Sequence, residues 1–93
     1  DATLRERWAR VFQAEFARLE KDNERFEKAR GKNKQEPLLD PYALTSTAEF
    51  FAVAMETFYE WPVDFEAEHP ELYGVIRDFF GQDPADRWKK AEQ

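Results

Sequence analysis

The stretch LLDPYALTSTAEFFAVAMETFYEWP, residues 38–62, decides the fold class. Its apolar residues do not alternate, so a strand is excluded and a helix is the reading that remains. Ser46-Thr47-Ala48-Glu49 matches a capping box: Ser46 takes the Glu49 amide, and the Glu49 carboxylate reaches back to the Ser46 amide. The helix that starts there ends at Pro62. Seven residues of helix return to within about 20° of the starting direction. Glu49, Ala52, Val53, Glu56 and Glu60 therefore share one stripe, and Phe50, Phe51, Ala54, Met55, Phe58 and Tyr59 occupy the rest. Apolar residues round most of the circumference imply a largely buried helix. A carboxylate buried in it needs a hydrogen-bond donor, a cation or a metal.

Downstream, WPVDFEAEHPELYGVIRDFFGQDPADRW reads as three short helices. Pro62 and Pro70 open two of them, Gly81 closes the second, and Asp83-Pro84 supplies an N-cap and first-turn proline for the last. Leu72, Val75, Ile76 and Phe79 make one helical face. Upstream, Leu4, Trp8, Val11, Phe12, Phe16, Leu19 and Phe26 recur at helical spacing from Leu4 to about Arg30, fraying after Asn23. That stripe reads as core, because Ala, Arg and Gln interrupt any sustained heptad that a dimer seam would need. Gly31 stops the helix, and sixteen residues with two prolines follow, GKNKQEPLLDPYALTS. Gly31 to Glu36 reads as mobile and Leu38 to Leu44 as packed. The expected architecture is all-α: a long amphipathic N-terminal helix, an ordered loop, a buried central helix and two or three short C-terminal helices.

Composition narrows the chemistry. The 93 residues are 42% hydrophobic and 16% aromatic, with charged residues interleaved among the rings, which is a globular pattern. Net charge is −6, and no basic cluster has an aromatic platform beside it, so nucleic acid is not expected as a direct ligand. No apolar run approaches the ~20 residues of a membrane span, and no secretory signal is visible, so a cytoplasmic location is expected. The absence of cysteine excludes disulfides and thiolate metal sites. The one histidine, His69, precedes Pro70 and reads as a structural residue at a helix start.

Two segments, LDPYALTSTAEFFAVAMETFYEWP and the tail EHPELYGVIRDFFGQDPADR, resemble the C-terminal part of the Mlc titration factor A family of zinc metallopeptidases. A tyrosine, six residues and then AEFFA also resembles the metal-site segment of the anthrax lethal factor protease. The resemblance implies a zincin-like fold in which two histidines of an HExxH helix and one later glutamate hold zinc. Carried onto this chain, that glutamate is Glu49, and the tyrosine seven residues earlier is Tyr42, which would steady the reacting carbonyl. Glu56, two turns beyond Glu49, would orient a histidine ligand by accepting its other N–H. The alternatives stay open: Glu49 as a helix cap, Tyr42 as a packing aromatic, Glu56 as a solvated or ion-paired residue. Asp40 is read as fixing the loop by a bond to the backbone ahead of Pro41.

One histidine cannot supply HExxH, and Thr45-Ser46-Thr47 stands where relatives commonly carry Asn-Pro. Residues 1–93 are therefore expected to be a single helical C-terminal piece of a larger peptidase, inactive alone and without tight zinc of its own. Its partners would be a peptide substrate and the upstream HExxH-bearing part. An apolar surface at Leu38, Leu39, Tyr42, Phe50 and Phe51 would lie uncovered, and the piece would self-associate through it. The competing reading is a small acidic helical module without catalytic role that binds a protein, such as the transcriptional repressor named in the family's title.

Overall fold

The computed structural model describes residues 2–29 and 36–92, the side chain of Ala2 excepted. The elements are α1 (Ala2–Lys28), a 3-10 helix (Pro41–Thr45), α2 (Thr47–Glu60), α3 (Pro62–Glu68), α4 (Pro70–Phe80) and α5 (Pro84–Ala91), with no strand among the described residues. The all-α expectation holds. The expected stop at Gly31 and all of the Gly31–Glu36 reading except Glu36 fall outside the described residues. α1 runs on past Asn23 to Lys28, and the second half of the expected loop is partly helical. No helix among the described residues is long and apolar enough to cross a membrane.

Prolines set the corners. Trp61 and His69 each close one helix and open the next, with nearly the same backbone, φ −132°, ψ 53° and φ −134°, ψ 62°. A residue before proline is pushed out of the helical region, and the proline itself lacks the amide that a continued helix would need. The chain therefore turns at each junction while its backbone stays paired: Trp61 N–H donates to Thr57 O at 2.8 Å and His69 N–H to Phe65 O at 2.8 Å. Gly81 ends α4 in the left-handed region at φ 66°, where a side chain would be strained.

The core is one cluster. Val11 and Leu19 enter it from α1, Phe50, Ala54 and Phe58 from α2, Phe65 from α3, and Leu72, Val75 and Ile76 from α4. Aromatic contacts join the layers, with Phe12 edge-on to Phe50 at 5.6 Å and Phe58 tilted against Tyr73 at 5.0 Å. The molecule is a slab of 38 × 38 × 17 Å with a radius of gyration of 14.0 Å, against about 12 Å for a compact chain of this length. A slab under two helix diameters thick cannot surround any helix. For α2 this limits the burial expected all round it. Its inner face (Phe50, Val53, Ala54, Thr57, Phe58) is buried, whereas Phe51, Ala52, Glu56, Tyr59 and Glu60 are exposed. Phe79 also departs from the expected core face: it is 57% exposed, and its inner contact is an edge-on packing against Trp8 at 5.1 Å.

Two polar links hold the layers. Glu15 lies between Val11 and Leu19 on the buried stripe of α1, and its Oε2 is 2.7 Å from His69 Nδ1. The two side chains are 11% and 7% exposed, so each needs the other. The carboxylate requires Nδ1 to carry the proton, and Arg18 approaches the other carboxylate oxygen at 3.6 Å. The second link joins α4 to α5. Tyr73 Oη donates to Asp83 Oδ1 at 2.5 Å and accepts the buried Ala85 N–H at 2.9 Å, while the same Asp83 oxygen caps α5 through Asp86 N–H at 3.2 Å. Burial, then the Asp83 bond, push the Tyr73 phenol well above the ordinary tyrosine range. The Tyr73 hydroxyl, then the Asp86 amide and nearby cations, hold Asp83 below the usual carboxylate range against the opposing effect of burial.

Glu15→Ala leaves the imidazole without its carboxylate and should lower unfolding stability by about 1–3 kcal/mol. Urea denaturation of Glu15→Ala, His69→Ala and the double variant should then show the double loss smaller than the sum of the single losses. Additive losses would mean that the pair does not couple α1 to the α3–α4 corner.

Tyr73→Phe deprives the Ala85 amide of its acceptor and Asp83 of its strongest donor, a loss of about 1–3 kcal/mol at neutral pH. Because Asp83 titrates lower in the folded state than in the unfolded one, its contribution is present above about pH 4 and is lost as pH falls through the folded value. The melting temperature of Tyr73→Phe should accordingly decline less steeply than the parent's on acidification below pH 4. Parallel acid profiles would exclude the Tyr73–Asp83 bond as their source.

Candidate functional site

Tyr42 and Glu49 ride on the 3-10 helix and the first turn of α2. Asp40 Oδ1 accepts Tyr42 N–H at 2.9 Å, and Asp40 O accepts Ala43 N–H at 2.9 Å, so the expected bond from Asp40 starts the 3-10 helix. Ser46, in extended backbone at φ −165° and ψ 166°, separates this turn from α2 and caps it. Its Oγ accepts Glu49 N–H at 3.1 Å, the Ser46 half of the capping box. The reciprocal bond, from the Glu49 carboxylate back to the Ser46 amide, is not made.

The inner sides of both turns are anchored. Leu39, Ala43 and Phe50 are at most 2% exposed, which corrects the expectation that Leu39 and Phe50 would lie in an open apolar surface. Leu38 is half-buried, and the outward members of that set are Tyr42 (57% exposed) and Phe51 (39%), the latter stacked on one side against Trp8 and Phe12. Glu49 is half-buried and Glu56 is exposed. Among the described residues, the side chains of Tyr42, Glu49 and Glu56 form no hydrogen bond or ion pair. The Glu49 carboxylate is thus half-buried on the open side of α2 without a partner among the described residues. Its position is fixed by a backbone that is capped at both turns.

A metal needs convergent donors. No group of three or more histidine, aspartate or glutamate side chains among the described residues is arranged to hold one. Among the described residues the donor set does not by itself fit a bound metal, and Glu49 offers a single carboxylate. His69 is held by Glu15 at the α3–α4 corner and does not join Glu49 in such a group.

The buried Glu15–His69 pair was not anticipated. Its signal was present, since Glu15 lies at i+4 from Val11 and i−4 from Leu19, the middle of the stripe that faces inward. Beside the pair is a cleft of about 290 Å³ lined by Arg18, Asp22, Arg25 and Glu68. Glu36 lines it as well, and both arginines are drawn to Asp22, Arg18 at 3.8 Å and Arg25 at 3.4 Å.

The profile of the family described as glucose-regulated metallo-peptidase M90 matches residues 1–81. The uncharacterized protein slr2042 of Synechocystis sp. is 33% identical over 79 residues, 85% of this chain and 26% of that protein. Mlc titration factor A of Pectobacterium atrosepticum is 43% identical over 51 residues, 55% of this chain and 19% of the relative. Its namesake in Cronobacter sakazakii is 41% identical over 54 residues, 58% of this chain and 20% of the relative. The chain therefore spans about a quarter or less of the length of these relatives. No solved structure gives a significant match. By the profile match, which covers most of its length, the chain belongs to the glucose-regulated metallo-peptidase M90 family.

Proposed function

We propose that this chain is the part of a zinc-dependent peptidase that contributes one metal ligand, Glu49, and one hydrogen-bond donor to the reacting carbonyl, Tyr42. The observation that carries the reading is the uncommitted state of both side chains on a rigidly capped backbone. A ligand must be held where the metal will sit without already being used. Family membership supplies the metal requirement. The histidine donors would come from another part of a longer protein, and the peptide substrate and cytoplasmic location belong to the same proposal. Bound zinc would act as a Lewis acid in such a site. Tyr42, with a hydroxyl free to donate, would hydrogen-bond the oxygen on which charge develops. Glu56, exposed two turns along from Glu49, would accept the second N–H of a histidine ligand.

A protein-binding role is favoured by a different feature, the exposed apolar stripe of Phe51, Ala52 and Tyr59 on α2. Two relatives carry the name Mlc titration factor A, and Mlc itself is the natural partner to test on that stripe.

Glu49→Gln separates ligand from cap. In the 93-residue chain it should leave thermal unfolding within about 0.5 kcal/mol, because the carboxylate has no partner to lose. Ser46→Ala, which removes the cap itself, should cost about 1 kcal/mol. In the full-length peptidase, elemental analysis of Glu49→Gln should show depleted zinc and turnover on a chromogenic peptide should collapse. Tyr42→Phe should keep its metal and lose about 10²-fold in turnover. Glu56→Gln should lose about 10-fold in zinc affinity or activity. Full zinc and full turnover in Glu49→Gln would remove this residue from the metal site.

A further inference from the structure

Three of the chain's aromatic features lie outside the reading above: the Trp8 cluster, and two tryptophans near the end of α2 and in α5. Trp8 is stacked at 4.7 Å on Phe12 and is committed to packing. Trp61 and Trp88 are not. They are 58% and 55% exposed, and both line a cleft of about 220 Å³ between the α2–α3 corner and α5. Its other walls are Glu60, Pro62, Val63 and Asp64. The family match covers the wall at residues 60–64 and stops short of the Trp88 wall.

The lining has a specific chemistry. Indole is the most favourable aromatic face for a cation, and guanidinium groups are the commonest protein cations found on it. Carboxylates match the fork of N–H groups on the same guanidinium. Among the described residues, Glu60 and Asp64 form no ion pair and no cationic side chain of the chain stacks on Trp61 or Trp88. The nearby ion pair is elsewhere: Lys89 is 3.0 Å from Glu66 and ties α5 to α3, which fixes the wall that carries Trp88. Trp88 Nε1 donates to Glu92 at 2.9 Å, one turn further along, so the indole edge is occupied. Ligand sites for drug-sized molecules run to about 300–1,000 Å³. A smaller cleft fits a single side chain.

We propose that this cleft binds an arginine side chain presented by a peptide segment of another protein. The guanidinium lies against the indoles of Trp61 and Trp88, and its N–H groups donate to Glu60 and Asp64. Pro62 and Val63 contact the methylene stem. The net charge of −6 favours approach of a basic segment. The site is independent of Glu49, which is about three helical turns away on α2.

The test uses acetyl-Gly-Arg-Gly-amide and the same peptide with citrulline, which keeps the shape and removes the charge. The chain has three tryptophans, hence three indole N–H resonances in a ¹⁵N spectrum, and Trp8 serves as the internal control. The arginine peptide should shift the Trp61 and Trp88 resonances saturably and leave Trp8 in place. The citrulline peptide should bind about tenfold more weakly. Trp88→Ala, and Glu60→Gln combined with Asp64→Asn, should each weaken the arginine peptide about tenfold. The carboxylate variant should do so without moving the melting temperature, since Glu60 and Asp64 are exposed and form no ion pair among the described residues. Equal binding of the citrulline peptide, a non-saturating shift, or a Trp8 shift as large as the others would overturn the proposal.

Discussion

One hydrogen-bonded pair in the interior organises this molecule: the Glu15 carboxylate of α1 on the His69 imidazole at the corner between α3 and α4. Neither group would be stable there alone, because an unpaired charge or donor in a core is costly. Together they fix both the rotation of α1 about its axis and its register along α4. Val11 and Leu19 then point inward one turn on either side of Glu15. Near the start of α1, Arg7 bonds Asp78 at 2.8 Å and secures the other end of the contact with α4. Gly74 leaves room for that arginine, whose Nη2 lies 3.3 Å from where a Cβ would be.

With α1 laid along α4, the remaining helices form a thin slab rather than a bundle. The slab leaves one side of α2 open, with Glu49 half-buried and Glu56 exposed. The short 3-10 helix sinks Leu39 and Ala43 into the core, and its Asp40 cap fixes the backbone that carries Tyr42. Two side chains suited to metal and carbonyl chemistry are thereby held in place and left unused.

The tail of the chain follows a different logic. α5 is held to the rest by Tyr73, whose single hydroxyl serves both the cap residue Asp83 and the Ala85 amide. Burial of that phenol raises its affinity for its proton, so it remains a donor throughout the range in which proteins are folded. This small network sets where Trp88 stands relative to Trp61, and so creates a cleft that neither helix has alone.

Helix identity and helix ends were legible in the amino-acid sequence because their causes are local. Pro62 and Pro70 forbid continuation, Gly81 accepts a left-handed backbone, and Ser46 and Asp83 reach amides three residues away. The positions of Glu49 and Glu56 on α2 followed from helical spacing, though that spacing read the helix as buried nearly all round. Burial was decided by tertiary structure. Periodicity defines the stripes of a helix but not how many neighbours press upon it, and α2 has neighbours on one side only. The start of the 3-10 turn at Pro41–Thr45 was legible in Asp40-Pro41, whereas its inward packing through Leu39 and Ala43 was decided by tertiary contacts. Glu15 and His69 are 54 residues apart, and Trp61 and Trp88 are 27 residues apart. Such pairs exist only after the chain has folded, since the contact energy that selects them is not encoded in either residue's surroundings along the sequence.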